Sequence, residues 1–508
     1  MYHMSDNNTK NITIAKNSVY LFLRTFVSIV VTLFTSRIFI NQLGIEDYGI
    51  YNLVGGVVSV FYMLTSFMTG ATQRFLSVEI GKGDIKEMNK IMNISVTIHF
   101  FIGLSFVILG EVVGLILLKY YLNVPVGKEM LTQLVFHFAL VTSVVSLISI
   151  PYNAFILAKE RMSFFALITI ADVVLKLLVT LALYLVNQKL IIYSVLLLFA
   201  NSCITFAYYY YCKKKLELPK YTYYSYKTNS EYKELFVFSG WSFLGYFSSA
   251  TREHGTSIVL NLFFGVLLNA AMGVVYQIYG VFTRLFLNLQ AAFRPQVIQN
   301  AYTDRSRYDN LLNICTFYTI ILIGLICTPF IIGCNTILHL WLGLVPDYAV
   351  LFVQVIMIKV FFASITQCLN IAIEAYAKLR SSMIASCIIS VLVIMVSFFL
   401  LRQDFPPIYA VIMLVLSELA FLLYRLYYTA TNRLINYSEW LEYNYSALIL
   451  VVVSIILAFY TSKYMKNDLT TLLAMAIETI IYCVMALIIM KKNQRALLFE
   501  RVKSILRI

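Results

Sequence analysis

Long apolar stretches separated by short polar intervals dominate this chain. Runs of 18 or more mostly apolar residues read as membrane-spanning helices, because lipid offers backbone groups no partner outside the segment. Fourteen such spans fall near 17–40, 49–73, 91–118, 131–158, 163–186, 190–211, 235–262, 266–293, 311–341, 348–375, 381–401, 407–430, 445–462 and 469–490. The seventh contains Arg252-Glu253-His254 and is the least uniform. The pattern predicts an all-α polytopic membrane protein.

Composition agrees with the pattern. Of 508 residues, 60% are apolar and 13% are charged, about half the roughly 25% charge of a soluble domain. Fourteen spans of about 21 residues would use about 294 residues, which leaves almost nothing for an aqueous domain. A soluble enzyme, a disordered scaffold and a nucleic-acid binder are all disfavoured. The net charge of +14 lies mostly between the apolar runs, where it orients helices. None of the eight cysteines makes a C-x-x-C pair, so the spacing points to neither a zinc site nor a disulfide framework. Met1 to Lys16 is polar and lacks a small-residue cleavage site, which predicts no removable signal peptide.

Charge between spans checks their number. If fourteen is right, alternate connections should be rich and poor in Lys and Arg. Of the 39 basic residues, 26 fall in the connections assigned to the cytoplasm. Six fall on the opposite side: Lys119, Lys128, Lys189, Arg402, Lys463 and Lys466. Seven lie within or at the edge of spans. That bias places both termini in the cytoplasm.

Short patterns recur at a shift of about 220 residues, which is the mark of an internal repeat. Thr35-Ser36 and Gly44 fall on Thr256-Ser257 and Gly265; Ala71, Arg74, Asp84 and Asn93-Ile94 fall on Ala291, Arg294, Asp304 and Asn313-Ile314; Ala158-Lys159-x-Arg161 falls on Ala377-Lys378-x-Arg380. Both copies start on the cytoplasmic side, so the repeat is parallel. The expected organisation is an N-terminal six-helix lobe (1–211), a cytoplasmic linker (212–234) and a C-terminal six-helix lobe (235–430). An additional helix pair (431–492) and a tail (493–508) follow. The linker, with Lys213-Lys214-Lys215, suits contact with anionic lipid, and the tail reads as a basic amphipathic helix on the cytoplasmic face.

Ser36-Arg37-Ile38 through Leu43-Gly44-Ile45-Glu46-Asp47-Tyr48-Gly49-Ile50-Tyr51, and the loop from Arg74 to Lys90 with Gly81-Lys82-Gly83-Asp84, resemble the polysaccharide-exporter branch of the multidrug/oligosaccharidyl-lipid/polysaccharide (MOP) superfamily. The resemblance implies flipping of an undecaprenyl-diphosphate-linked oligosaccharide, for O-antigen, capsule or a related glycan, from the cytoplasmic to the outer leaflet. It also implies a bacterial inner membrane, no cofactor, and cooperation with polysaccharide polymerase or assembly proteins. Family members with this role are similar in having a cationic cavity.

An ionisable side chain at mid-bilayer costs about 2.5–3.5 kcal/mol on insertion scales, so each needs a cavity, a partner or a route to the interface. Arg24 and Arg252 are the leading candidates for diphosphate binding, because guanidinium holds phosphate oxygens bidentately and keeps its charge. Through the repeat, Arg252 maps to Val31, seven residues and nearly two turns from Arg24. Snorkelling to the headgroups is the alternative for Arg24. Lys359, about mid-span, and Arg284, ten residues from Arg294, are further cavity candidates, with snorkelling equally open for Arg284. Asp172 and Lys176 stand four apart on one helix face; they form either a neutralising ion pair or an ion-coupling site. Pro151 and Pro329 favour kinks. His99 and His137 suggest no site, and the spacing of His, Cys and acids suggests no metal.

The first functional expectation is therefore an alternating-access flippase. The second is a cation-coupled multidrug exporter of the same superfamily, kept open by Asp172. A polymerase or glycosyltransferase is disfavoured, because no external loop exceeds about fifteen residues and no catalytic constellation is present. No G-x-x-x-x-G-K-[ST] loop precedes a helix, so no ATP-driven engine is expected within the chain.

Overall fold

The computed structural model describes residues 27–58, 72–73, 75–76, 79–80, 83–159, 161–218, 222, 231–301, 303–376, 379–465 and 467–490. Arg24 and the tail at 493–508 lie outside these residues, as does most of the linker. The described residues are almost wholly helical: α1 (Val27–Val58), α2 (Ile85–Ile116), α3 (Glu129–Ala158), α4 (Met162–Leu181), α5 (Lys189–Lys215), α6 (Glu231–Phe264), α7 (Val266–Asn300), α8 (Arg305–Leu342), α9 (Ala349–Ala375), α10 (Leu379–Arg402), α11 (Ile408–Thr431), α12 (Tyr437–Ser462) and α13 (Asp468–Ile489).

Twelve of the described helices are long and apolar enough to cross a membrane. This is a multi-pass membrane protein. The difference from fourteen spans arises in two places. The first two expected spans meet within the single helical run of α1, which carries a left-handed residue at Gly44, where φ is +79°; positions 17–26 and 59–71 of those spans lie outside the described residues. A side chain there would crowd the following carbonyl, so glycine supplies the turn. The seventh span is α6, whose polar residues keep it out of the twelve.

The repeat is visible in local geometry. Gly265, between α6 and α7, has φ +73°, matching Gly44 across 221 residues. Asp84 caps α2 by accepting the Glu87 N–H at 3.0 Å, and Asp304 caps α8 by accepting the Arg307 N–H at 3.0 Å. These caps satisfy otherwise orphaned helix donors. The chain leaves α5 through Glu217 and α11 through Arg433, both at φ 53°.

Two compact units divide the chain: Met1–Ala270 with Trp341–Pro346, and Ala271–Leu340 with Asp347–Ile508. In the first unit, α3 packs on α2 and α5. Phe136, Leu140, Leu147 and Ile150 of α3 belong to one apolar cluster, and Ala154 and Phe155 to a second with Met88, Ile91 and Ile204. In the second unit, α9 and α10 both pack on α11. The last helix of the described chain, α13, seats Tyr482 against α8, where its hydroxyl donates to the Ile321 carbonyl at 3.1 Å. Pro151 and Pro329 lie inside α3 and α8.

Candidate functional site

Most polar side chains in these helices bond the carbonyl one turn back, which needs no neighbour. The informative ones depart from that habit. In the first unit, α6 carries Ser248, Arg252 and Thr256 at i, i+4 spacing, all under 10% exposed. The spacing puts them on one face, so Arg252 sits within a buried polar stripe. Thr256 Oγ1 donates to the Arg252 carbonyl at 2.7 Å. A guanidinium held there carries a fixed charge at all physiological pH.

The stripe continues to Asn261, which is completely buried. Its Oδ1 accepts the Asn123 N–H at 2.8 Å, and its Nδ2 donates to Asn269 Oδ1 at 3.1 Å and to the Asn123 carbonyl at 3.2 Å. Asn123 Nδ2 donates in turn to the carbonyls of Asn261 and Leu262, at 3.1 and 2.8 Å. Asn41, 220 residues earlier, does the related thing: its Nδ2 donates to the Leu342 carbonyl at 2.5 Å. Trp341 Nε1 donates to the Leu33 carbonyl at 2.7 Å. The Gly44 corner thus bonds the end of α8, and the Gly265 corner bonds the stretch between α2 and α3.

Asp172 and Lys176 form the ion pair that their spacing implies, at 2.7 Å, with 24% and 42% of the side chains exposed. In the second unit, Lys359 is 1% exposed on α9, its Nζ 4.1 Å from the centre of the Tyr279 ring of α7. That distance is a cation–π contact. Arg284, also on α7, is exposed. Lys359 and Arg284 therefore share a unit but not an environment, and Arg252 belongs to the other unit.

Several charged groups were not legible as site members. Arg425 is one of the 26 basic residues that the charge pattern assigns to the cytoplasmic connections, yet it is 6% exposed within α11. Its Nη1 donates to the Thr366 carbonyl of α9 at 2.8 Å, and its guanidinium lies 4.1 Å from the Phe421 ring. Glu418 and Lys359 lie seven residues before Arg425 and Thr366. Both are buried, on helices that pack together. Glu374 pairs with Arg294 at 2.7 Å and accepts Asn370 Nδ2 at 2.6 Å. His137 pairs with Glu111 at 2.8 Å. His99 lies in a buried network with Ser95 and Thr72.

The arrangement can hold anionic groups without proton exchange at Arg252, and it can neutralise charge inside the second unit through Lys359. No family model matches the chain, and no curated protein matches it. Solved structures do. The chain is similar to the lipid II flippase MurJ in an inward closed conformation, with a TM-score of 0.72 and 14% identity over 92% of this chain and 98% of that one. It is also similar to an inward-facing multidrug resistance MATE family transporter of the MOP superfamily, at 0.69 and 13% identity, covering 84% and 99%. A third is a MOP superfamily transporter from Pyrococcus furiosus, described as having a binding pocket of reverse polarity that suggests a different function, at 0.61 and 11%, covering 83% and 95%. The chain has the fold of these transporters.

Proposed function

We propose that this protein is a MOP-type flippase that carries an undecaprenyl-diphosphate-linked oligosaccharide from the cytoplasmic to the outer leaflet of a bacterial inner membrane by alternating access. The observation that carries the reading is Arg252: an arginine buried to 6% exposure in α6, within a fold similar to a lipid II flippase over nearly its whole length. A diphosphate brings concentrated negative charge, and a permanent, preplaced cation offsets its desolvation. The polyprenyl tail would stay in lipid while sugars meet the hydroxyl and amide groups near Arg252. Arg24 joins the proposed anion site through the repeat, and Lys359 and Arg284 are its proposed members in the second unit. The six-helix lobes, the cytoplasmic termini and cooperation with polymerase or assembly proteins belong to the same proposal.

A multidrug exporter is the second reading, supported by the similarity to 99% of a MATE transporter and by the Asp172–Lys176 pair, whose carboxylate could couple an ion. Proteoliposomes separate the two. An undecaprenyl-diphosphate-linked oligosaccharide is scored by access of an external glycosidase, with a cationic dye as rival cargo, for the native chain, Arg24→Ala and Arg252→Ala. Glycan movement lost in both variants supports the flippase. Dye export that depends on Asp172, with no glycan movement for several sugars, supports the exporter.

A further inference from the structure

Within the second unit, two thiols from different helices meet. Cys315 of α8 and Cys368 of α9 are both fully buried, and their side chains are hydrogen-bonded to each other. Cys315 and Thr319 stand four apart and so share one face of α8. Cys368 Sγ donates to Thr319 Oγ1 at 3.7 Å, which sets that face against α9. Gln290 of α7, 2% exposed, closes the cluster: its Nε2 donates to Cys368 Sγ at 3.1 Å and to the Ser364 carbonyl at 2.9 Å. The start of α8 and the end of α9 are tied where Arg305 Nη1 donates to the Tyr376 hydroxyl at 2.9 Å. By helix length the two sulfurs lie about 10–15 Å inward from that end.

Three features set this cluster apart from sulfur packed as hydrocarbon. First, Gln290 Oε1 is buried and has no hydrogen-bond partner among the described residues. An amide oxygen left alone is costly, and this one shares its carbon with the nitrogen that holds Cys368. Second, the side chains that bond the two sulfurs are Gln290, Thr316, Thr319 and the thiols themselves, all uncharged. Third, the pair belongs to one copy of the repeat. Cys315 and Thr319 fall on Ser95 and His99 at the shift of 220, and the first 202 residues contain no cysteine.

We propose that Cys315, Cys368 and Gln290 form a binding site for a soft divalent cation that takes two sulfur ligands in line, namely Hg(II). Soft cations select thiolate sulfur, and here two sulfurs are already in contact. With mercuric chloride, two Hg–Cl bonds break and two S–Hg bonds form. The two thiol protons leave with the chlorides, and no oxidation state changes. The product is neutral, which suits a buried site whose partners carry no charge. The same two thiolates around Ag(I) or Cu(I) would leave a net negative charge there. Zn(II) takes four ligands in a closed site, and this one offers two sulfurs. Gln290 Oε1, with no donor to serve, supplies a weak oxygen contact to the metal.

The test uses the full chain in neutral detergent, reduced, loaded with mercuric chloride, washed with excess 2-mercaptoethanol and read by intact mass. Mercury on one sulfur exchanges onto the competing thiol, whereas mercury held by two sulfurs of one chain persists through effective concentration. The native chain should retain one mercury in place of two protons. Cys315→Ala and Cys368→Ala should each retain none, while Cys327→Ala, which removes another buried thiol of α8, retains it. Methylmercury, with a single free position, and zinc chloride should both wash off the native chain. Gln290→Leu should release mercury at a several-fold lower thiol concentration. Mercury should also raise the thermal midpoint of the native chain and of Cys327→Ala, but of neither site variant. Retention by either site variant eluting as native protein, or release from the native chain as readily as methylmercury, overturns the proposal.

Discussion

The two glycine corners of the repeat solve one problem with different materials. At Gly265, the buried Asn261 and Asn269 tie the corner together with the exposed Asn123: Asn261 bridges Asn123 and Asn269, and Asn269 Nδ2 reaches the Ser257 carbonyl at 3.1 Å. At Gly44, Asn41, three residues before the glycine where Asn261 stands four before Gly265, is exposed and donates to two carbonyls, those of Arg37 and Leu342. The first corner adds ions instead: Lys128 bonds Asp47 at 2.6 Å and Glu46 at 3.1 Å. Buried amide networks depend on complete pairing, since a group left alone forfeits its hydration. Exposed amides and ions can fall back on water. The lesson is that the two copies keep the backbone turn but distribute its stabilisation unequally.

The largest expected effect breaks the corner by volume. A Cβ on Gly49 would overlap the Val266 carbonyl, and backbone cannot give way as a side-chain tip can. Gly49→Ala should cost about 3 kcal/mol, the upper part of the overpacking range, or prevent accumulation of folded protein, as read by size-exclusion chromatography. The contrast lies on the same helix: a Cβ on Gly56 meets only His254 Nδ1 at 3.9 Å, so Gly56→Ala should leave elution unchanged. In the second copy the counterpart of Gly49 is Ala270, already fully buried with its Cβ.

Asn261→Leu comes next. It strands the buried Asn269 amide, worth about 1–3 kcal/mol when unpaired, while the exposed Asn123 can turn to water. A loss of about 1–3 kcal/mol is expected, measured as a lower apparent unfolding temperature in detergent. Asn41→Leu should cost about 1 kcal/mol or less, because its carbonyl partners can bind water. Equal losses in the two variants would overturn the unequal division of labour. Gly44→Ala and Gly265→Ala sharpen the comparison from the other side. Neither Cβ would meet any atom within 4 Å, so only the left-handed backbone is penalised, by about 1–2 kcal/mol at each. A clear difference between them would show that the corners differ in backbone strain as well as in side chains.

How far this was legible in the sequence follows the same division. Local chemistry could be read: the glycines, the capping Asp84 and Asp304, and the four-residue spacing of Asp172 and Lys176 all act through their own stretch of chain. Pairings across helices could not. Arg294 with Glu374 and His137 with Glu111 depend on how each helix is rotated about its axis. A helix apolar on every side, as membrane helices are, carries little pattern to fix that rotation. Arg425 was misplaced for a related reason: a charge near the end of an apolar run looks like a loop residue, whereas α11 continues to Thr431 and turns Arg425 inward.

The smallest effect belongs to the ions of the first corner, and its sign separates it from the others. Burial alone would lower the Lys128 pKa, but the hydrogen bonds to Asp47 and Glu46, with their charges, outweigh burial and raise it. A lysine whose folded pKa lies above its unfolded value stabilises the fold at all pH below the unfolded value. That contribution disappears as pH rises through the folded pKa. Lys128→Met should therefore lower stability by about 0.5–1 kcal/mol at pH 7, and the native and variant midpoints should converge above the ordinary lysine range. Raising salt should narrow the gap at pH 7 as well, because the groups are partly exposed and screened. The counterpart of Lys128 in the second copy is Tyr348, so Asn261→Leu should show neither the alkaline convergence nor the salt dependence. If Asn261→Leu followed pH as Lys128→Met does, the two corners would rest on the same interaction after all.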